Sequence, residues 1–322
     1  MKKQLLLLAV AIGFASLLIP GSARASLYAS AGVNADLYVS DSANNRIMQF
    51  TPGGVGSIFA NTGLNNPYGL AFDTAGNLYA ANFDSGTIAK FTPGGVGSVF
   101  ASGLNSPSGL AFDSAGNLYA TSFLGNTITK FTPGGVGSLF ASAGLTNPDS
   151  LAFDTAGDLY VANWGANTIA KFTPGGVGSV FATTVSNPYG PAFDSAGNLY
   201  VSNESLNTIG KFTPGGVGSV FANSGMSAPA GLAFDSTGNL YAANFFGNTI
   251  REFSSTGSDL GNFASTGLNG PAFLAFAPAA VPEPGQVAAS VLALLGIGGF
   301  VMPGLLRRKL AHQASSRRDE WK

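Results

Sequence analysis

Short apolar runs alternate with turn-forming residues along most of the chain, at a period of about forty residues. In the clearest copy, the apolar runs at 69–72, 78–81, 87–92 and 96–101 are separated by segments rich in Asp, Asn, Pro and Gly. Aromatic and β-branched residues favour strands, whereas Gly, Asn, Asp and Pro favour tight turns. The pattern predicts four short strands per copy. A helical interpretation is disfavoured because Gly, Asn, Pro and Thr recur every few residues.

The number of copies predicts the closure of the fold. The phenylalanine of the Leu-Ala-Phe run recurs at intervals of 40 to 42 residues, and the tyrosine of the second strand occurs six times, at Tyr38, Tyr79, Tyr119, Tyr160, Tyr200 and Tyr241. Four strands at this period are typical of a propeller blade, and a parallel β-helix is the alternative. The first copy lacks its Leu-Ala-Phe strand, and the run at 273–276 has no blade after it. We therefore expect an all-β six-bladed β-propeller in which 273–276 form the innermost strand of blade one. Such closure leaves no open radial edge, and we expect a monomer.

The second and third strands of the first copy carry a family resemblance. Residues 37–50, Leu-Tyr-Val-Ser-Asp-Ser-Ala-Asn-Asn-Arg-Ile-Met-Gln-Phe, resemble the NHL-repeat consensus, and the later copies are looser versions of it. The resemblance spans about residues 33–276 and implies a six-bladed propeller. It does not imply one function, because this architecture hosts binding modules, lactonases and lyases alike.

The N-terminal segment has the features of a secretory signal peptide. Lys2 and Lys3 precede an apolar run at 5–19, and Ala23-Arg24-Ala25 forms an Ala-x-Ala cleavage site. An uncleaved anchor is the alternative, although the run is short for a membrane span. We predict that residues 1–25 direct export of the rest of the chain.

The C-terminal segment combines three features in order. Residues 287–306 are uncharged and long enough for a transmembrane helix. The motif Val281, Pro282, Glu283, Pro284 precedes them, and the basic residues Arg307, Arg308 and Lys309 follow. The positive-inside rule places these cations in the cytoplasm and the preceding chain outside. Together the three features resemble the PEP-CTERM sorting signal of Gram-negative bacteria.

That resemblance implies a location and partners. It implies recognition by exosortase-type sorting machinery, a transient anchor in the inner membrane, and a final place in the cell envelope, at the outer surface or in the extracellular matrix. It also implies an association with extracellular polysaccharide and biofilm. The resulting domain organisation is a signal peptide at 1–25, the propeller at 26–279, the sorting signal with its transmembrane helix at 280–309 and a basic cytoplasmic tail at 310–322.

Charge and composition exclude several classes of function. Residues 26–280 contain 13 acidic and 6 basic side chains, a net charge of −7. This disfavours nucleic acid as a partner, because phosphate binding needs Lys and Arg on the contact face. The chain has no cysteine, and its one histidine, His312, lies beyond the predicted span. Histidine-based catalysis in the propeller, including a streptogramin-lyase-like reaction, is therefore disfavoured.

The copies agree with one another on one face of the predicted disc and differ on the other. The turns between second and third strands differ, and they carry Phe83, Phe123, Trp164 and Phe245 at equivalent positions, with Ser42 and Glu204 in the other two blades. Tyr68 and Tyr189 add rings from the links between blades. One residue before the aromatic position, and expected nearer the central channel, stand Asp41, Asn82, Ser122, Asn163, Asn203 and Asn244.

Rings beside amide and carboxylate side chains suit a glycan, because rings stack on sugars while amides bind hydroxyls. In the structural alternative, each aromatic residue packs on the next blade's loop and each Asn caps its own turn. We predict an exported, non-enzymatic binding or scaffold protein whose ligand is a polysaccharide or a surface protein.

The alternative function is a metal-dependent hydrolase of the gluconolactonase type, whose metal site uses Glu, Asn and Asp. Glu204 with Asn163, Asn203 and Asp41 could imitate part of that set, although no second acidic partner is evident at the channel mouth. A channel Ca²⁺ is conceivable from six converging oxygens, but one charged ligand in six predicts weak affinity. We therefore expect no cofactor. The lysines of the third strands, Lys90, Lys130, Lys171 and Lys211, are expected to keep the outer edges soluble.

Overall fold

Six four-stranded antiparallel sheets form the described part of the chain, which in this computed structural model is residues 35–278. Blade one consists of β1 (Leu37–Asp41), β2 (Arg46–Phe50) and β3 (Gly56–Ala60), with β24 (Pro271–Phe276) as its innermost strand. The predicted closure is confirmed, because β24 pairs with β1 from Leu37↔Phe276 onward. The signal peptide, the sorting motif and the predicted span at 287–306 lie outside the described residues.

The other five blades follow one another along the chain, each with its strands in sequence order from the axis outward. Blade two comprises β4 (Pro67–Phe72), β5 (Leu78–Asn82), β6 (Thr87–Phe91) and β7 (Gly97–Ser102). Blade three comprises β8 (Pro107–Phe112), β9 (Leu118–Ser122), β10 (Thr127–Phe131) and β11 (Gly137–Ala141). Blade four comprises β12 (Pro148–Phe153), β13 (Leu159–Asn163), β14 (Thr168–Phe172) and β15 (Gly178–Ala182).

Blade five comprises β16 (Pro188–Phe193), β17 (Leu199–Asn203), β18 (Thr208–Phe212) and β19 (Gly218–Ala222). Blade six comprises β20 (Pro229–Phe234), β21 (Leu240–Asn244), β22 (Thr249–Phe253) and β23 (Asp259–Ala264). Two short 3₁₀ helices, Ser42–Asn44 and Trp164–Ala166, follow β1 and β13. No helix within residues 35–278 is long and apolar enough to cross a membrane.

The blades are joined by a repeated aromatic cluster. The ring of Tyr79 meets Phe100 of its own blade at 5.0 Å and Phe112 of the next blade at 5.1 Å, both edge to face. Such pairs stabilise beyond the area they bury. The tyrosines of the other five blades make the same two contacts, and Tyr241 reaches Phe276 of β24. The repeated Phe and Tyr positions are thus the contacts that close the ring.

Close packing at the axis requires glycine in the innermost strands. A Cβ added at Gly109 would lie 2.6 Å from Ser150 Cα of the next blade, and one at Gly69 would lie 2.3 Å from Ser108 O. Gly190 and Gly231 are equally confined. These distances are too short for any side chain, so neighbouring inner strands approach each other through bare backbone.

The recurring lysines have a different role from the one predicted. Lys90 lies on the third strand, inside the outermost one, with its Nζ 5.1 Å from the Tyr79 ring centroid and 3.7 Å from Asp73 Oδ2. The equivalent lysines repeat both contacts. The prediction that they protect outer edges is wrong, because each ammonium packs over a ring and against the turn between first and second strands. This arrangement anchors the face of the disc on which the repeats agree.

Candidate functional site

A central cavity of about 270 Å³ opens on the face where the repeats differ. Its lining contains six aromatic rings, two acidic side chains and two alanines, namely Tyr68, Phe83, Phe123, Asp149, Trp164, Tyr189, Glu204, Ala228, Ala230 and Phe245. Five of the predicted site residues lie together here: Phe83, Phe123, Trp164, Glu204 and Phe245. Aromatic turns of separate blades thus line one common space.

The aromatic residues form a continuous arc over three successive blades. Phe83 lies 5.8 Å from Phe123, and Phe123 lies 5.9 Å from Trp164, measured between ring centroids. Tyr68 stacks on Phe83 at 5.0 Å and so extends the arc toward the axis. The arc residues are only partly buried. Each ring does pack on the next blade's turn, as the structural alternative proposed, and the rings together still form the wall of an open cavity.

Glu204 continues the arc into blade five. The indole Nε1 of Trp164 donates a hydrogen bond to Glu204 Oε2 at 2.8 Å. Because the two residues occupy equivalent positions in neighbouring blades, this bond fixes the orientation of the indole and places a carboxylate at its edge. Ser42, the equivalent residue of blade one, is instead buried and donates its hydroxyl to the carbonyl oxygen of Gly270 at 2.7 Å.

The polar residues that precede the arc do not line the cavity. Asn163 Oδ1 accepts the N–H of Thr146 at 2.8 Å, and its Nδ2 donates to Gly144 O at 2.7 Å. Asn82 and Asn244 bind the links of their blades in the same way, Asn203 accepts the N–H of Ser186, and Asp41 accepts the N–H of Asn269. Ser122 is buried too. The expectation that these six line the channel is wrong, because none of them belongs to the cavity lining and the five Asn and Asp side chains hold the blade-to-blade links.

Three of the four residues proposed as metal ligands in the lactonase alternative have other partners in the structure. Asn163 and Asn203 are occupied by their links, and Asp41 is additionally paired with Arg46 at 2.6 Å. No group of three or more Asp, Glu, His or Cys side chains suited to a metal ion occurs between residues 35 and 278. None of the six residues proposed for a channel Ca²⁺ lines the central cavity.

A second acid at the cavity, Asp149, was missed in the sequence. It occupies the position after the link proline, where the other blades have Tyr68, Ser108, Tyr189, Ala230 and Ala272. A β-bulge between Pro148 and Leu151 interrupts the pairing of this strand, as it does in the equivalent strands of blades two, three, five and six. The statement that no acidic partner is evident beside Glu204 is therefore wrong. The signal was available, since the copies differ at this position as much as in the turns.

Asp149 has an unusual environment for a carboxyl group. It is 2% exposed, and it accepts a hydrogen bond from the Ser108 hydroxyl. Burial raises the pKa of Asp149 to about 8; the Ser108 hydrogen bond opposes the rise, and the charge of Glu204 adds to it. The carboxyl is therefore mostly neutral at pH 7. Burial, followed by the charge of Asp149, also raises the pKa of Tyr189 well above its ordinary value.

A wider groove of about 730 Å³ lies elsewhere, between the outer parts of blades two and three. It is lined by backbone and by Gly, Ser, Thr, Ala, Leu, Phe and Asn side chains of residues 100–105 and 122–139. None of its lining residues is ionisable. Of these two cavities, only the central one has ionisable side chains in its lining.

Comparison with known proteins gives the same architecture. A chain of a nidogen/laminin complex superposes with a TM-score of 0.69 at 19% identity, over 76% of this chain and 98% of that one. A catalytically inactive histidine-to-alanine variant of virginiamycin B lyase from Staphylococcus aureus, with quinupristin, gives 0.59 at 17% identity, over 77% and 94%. A streptogramin B lyase gives 0.62 at 16% identity, over 76% and 87%. At these identities the likeness shows the fold alone.

The sequence itself carries a family assignment. No curated protein matches the chain. The family model described as "Virginiamycin B lyase family" matches residues 14–252, well over half of the sequence. The chain therefore belongs to the virginiamycin B lyase family.

Proposed function

We propose that this chain is an exported, non-enzymatic binding protein of the cell surface or extracellular matrix, and that it holds its ligand in the central cavity. The observation that carries the proposal is the arc of Phe83, Phe123 and Trp164 around an open cavity, on the one face where the repeats differ. Loops on a rigid scaffold are the usual place for binding residues. On the opposite face, the contact of a lysine with a tyrosine ring and an aspartate recurs in blades two to five, so that face offers no comparable asymmetry.

The proposed location rests on the two ends of the sequence. The features of residues 1–25 support export, and those of residues 281–309 support sorting by exosortase-type machinery. The same C-terminal resemblance supports an extracellular polysaccharide, or a protein of the envelope, as the partner. Aromatic side chains are suited to such a ligand because they offer flat apolar faces to sugar rings.

The experiment is a binding assay with the purified full chain on a glycan array and on the producing bacterium's own extracellular polysaccharide. We expect saturable binding that is lost in the Phe83→Ala/Trp164→Ala variant. The control is Val96→Ala/Val136→Ala, since both valines are 69–70% exposed on turns of the opposite face. Retention of full binding by the aromatic variant contradicts the site, and absence of any polysaccharide or envelope-protein ligand contradicts the function.

Membership of the lyase family makes lyase activity the second candidate. The printed description of the S. aureus enzyme states that a histidine-to-alanine variant is catalytically inactive. The present chain has one histidine, His312, outside the region that the family model matches. We therefore expect no conversion of quinupristin by the full chain, as followed by mass spectrometry. If a product of quinupristin forms only in the presence of the protein, lyase activity is favoured over the binding function.

A further inference from the structure

The cavity lining has a charge pattern that restricts its ligand. Six of the ten lining residues are aromatic, two are acidic, and none is Lys or Arg. Glu204 and Asp149 come from neighbouring blades, and the charge of Glu204 acts on Asp149. A cavity with acidic side chains and no cation disfavours phosphate and carboxylate groups and attracts positive charge, the more so once Asp149 ionises. Aromatic faces add to this preference, because the ring quadrupole attracts cations.

The hydrogen-bonding capacity of the lining restricts the cation further. One oxygen of Glu204 is occupied by the Trp164 indole, and Asp149 is bound by the Ser108 hydroxyl. A primary ammonium leaving water needs an acceptor for each of three N–H groups, and this lining is mostly rings. A quaternary ammonium has no N–H group and so needs no such acceptor, and its methyl groups pack directly on aromatic faces.

We propose that the central cavity binds a quaternary ammonium group, with Trp164 as its main ring contact and Glu204 as its counter-ion. The inference rests on the proposed binding function and names its ligand chemistry. A volume of about 270 Å³ lies at the lower end of small-molecule sites, which run from roughly 300 Å³ upward. The cavity therefore accommodates a head group the size of choline, with the rest of a larger ligand outside.

Asp149 couples this binding to pH. The groups that face it are Ser108, Glu204, Tyr68 and Tyr189, and none of them carries a positive charge. A cation in the cavity favours the ionised carboxylate, so its binding releases a proton wherever Asp149 is neutral beforehand. The affinity for a permanently charged ligand is therefore expected to rise as the pH increases toward about 8, the pKa of Asp149 in the free protein, and to level off above it.

The test is isothermal titration calorimetry of the full chain with choline and with 3,3-dimethyl-1-butanol, its uncharged isostere. We expect choline to bind at least about tenfold more tightly than the isostere. Glu204→Gln should weaken choline binding at least about tenfold and leave the isostere unaffected. The matched control is Glu252→Gln, which removes the same charge from the other glutamate of the propeller, far from the cavity lining.

Equal affinity for choline and its isostere overturns the inference, and so does the absence of any heat with choline up to high millimolar concentration. An equal effect of Glu204→Gln and Glu252→Gln overturns the role of Glu204. These outcomes are separate from failure of the proposed function. Polysaccharide binding that depends on Phe83 and Trp164 but shows no preference for choline removes only the ammonium ligand. If the chain binds choline but no matrix ligand, the proposed matrix role is wrong and the ammonium site stands.

Discussion

Trp164 of blade four donates its indole N–H to Glu204 of blade five, at 2.8 Å between Nε1 and Oε2. The repeat places the two residues at equivalent positions 40 residues apart, so one ring and one carboxylate meet across a blade boundary. The bond joins the aromatic arc to one of its two acids. It is the contact on which both the proposed site and its proposed ligand depend most.

The first prediction concerns the energy of this bond. In a double-mutant cycle of Trp164→Phe and Glu204→Ala, we expect a coupling of about 1 kcal/mol, because the bond involves a charged acceptor but is partly open to solvent. Urea denaturation of the four proteins measures it. Strict additivity of the two single changes would show that the bond does not hold the arc together.

The second prediction concerns the pH dependence of stability through Asp149. The pKa of Asp149 in the folded state, about 8, lies above its ordinary value of 3.8, so between pH 4 and pH 8 the folded state binds more protons than the unfolded state. The free energy of unfolding should therefore fall as pH rises through that window and level off above it. Asp149→Asn keeps an acceptor for Ser108 and should remove this slope.

Melting temperatures of wild type and Asp149→Asn, measured from pH 4 to pH 9, give the comparison. Glu204, Tyr68 and Tyr189 are the same in both proteins, so the difference between the two curves isolates Asp149. The free energy of unfolding of the variant, relative to that of the wild type, should increase steadily up to about pH 8, by several kcal/mol in all. Parallel curves over the whole range are incompatible with a buried neutral carboxyl.

The third prediction separates scaffold from site. Asn163→Ala removes three side-chain hydrogen bonds, to Thr146 N, Gly144 O and Thr168 Oγ1, and leaves buried polar groups unpaired. We expect a loss of about 2–4 kcal/mol in the free energy of unfolding. Ligand binding at temperatures where the variant is folded should be unchanged, since Asn163 does not line the cavity. Loss of binding without loss of stability would show that Asn163 belongs to the binding site.

The fourth prediction tests the packing of the inner strands. Gly109→Ala places a methyl group 2.6 Å from Ser150 Cα, and we expect a loss of at least about 2 kcal/mol. The matched change is Gly134→Ala in a turn, where the nearest atom is 3.9 Å away, with an effect within about 0.5 kcal/mol. Denaturation midpoints of the two variants are compared. Equal effects would mean that the blades do not approach each other through bare backbone.

The fold was largely predictable because its determinants recur. Tyr79 and its five equivalents repeat the same aromatic contacts. The number of repeats therefore predicted the number of blades, and the unmatched run at 273–276 indicated the closure. The directions of side chains were less predictable. Asn163 and Trp164 are adjacent in the sequence, yet Asn163 holds a link and Trp164 lines the cavity. Comparison of the repeat copies does not show in which direction each side chain points.

Asp149 illustrates the remaining gap. Its environment depends on a hydroxyl in blade three and on a carboxylate in blade five. A repeat pattern shows that position 149 differs from its equivalents, but burial by residues of three blades is a property of the closed ring. The lysine contacts were mispredicted for the same reason, since Lys90 meets Tyr79 and Asp73 only once the strands are paired.

The fluorescence of Trp164 tests the central claim most directly, because this ring lies in the cavity wall. The only other tryptophan is Trp321, so a Trp321→Phe background leaves Trp164 as the single reporter. Titration with a glycan or polysaccharide that the full chain binds should change the Trp164 emission saturably, with the same midpoint as the binding itself. Binding that reaches saturation while the Trp164 emission stays constant would contradict a ligand site in the central cavity.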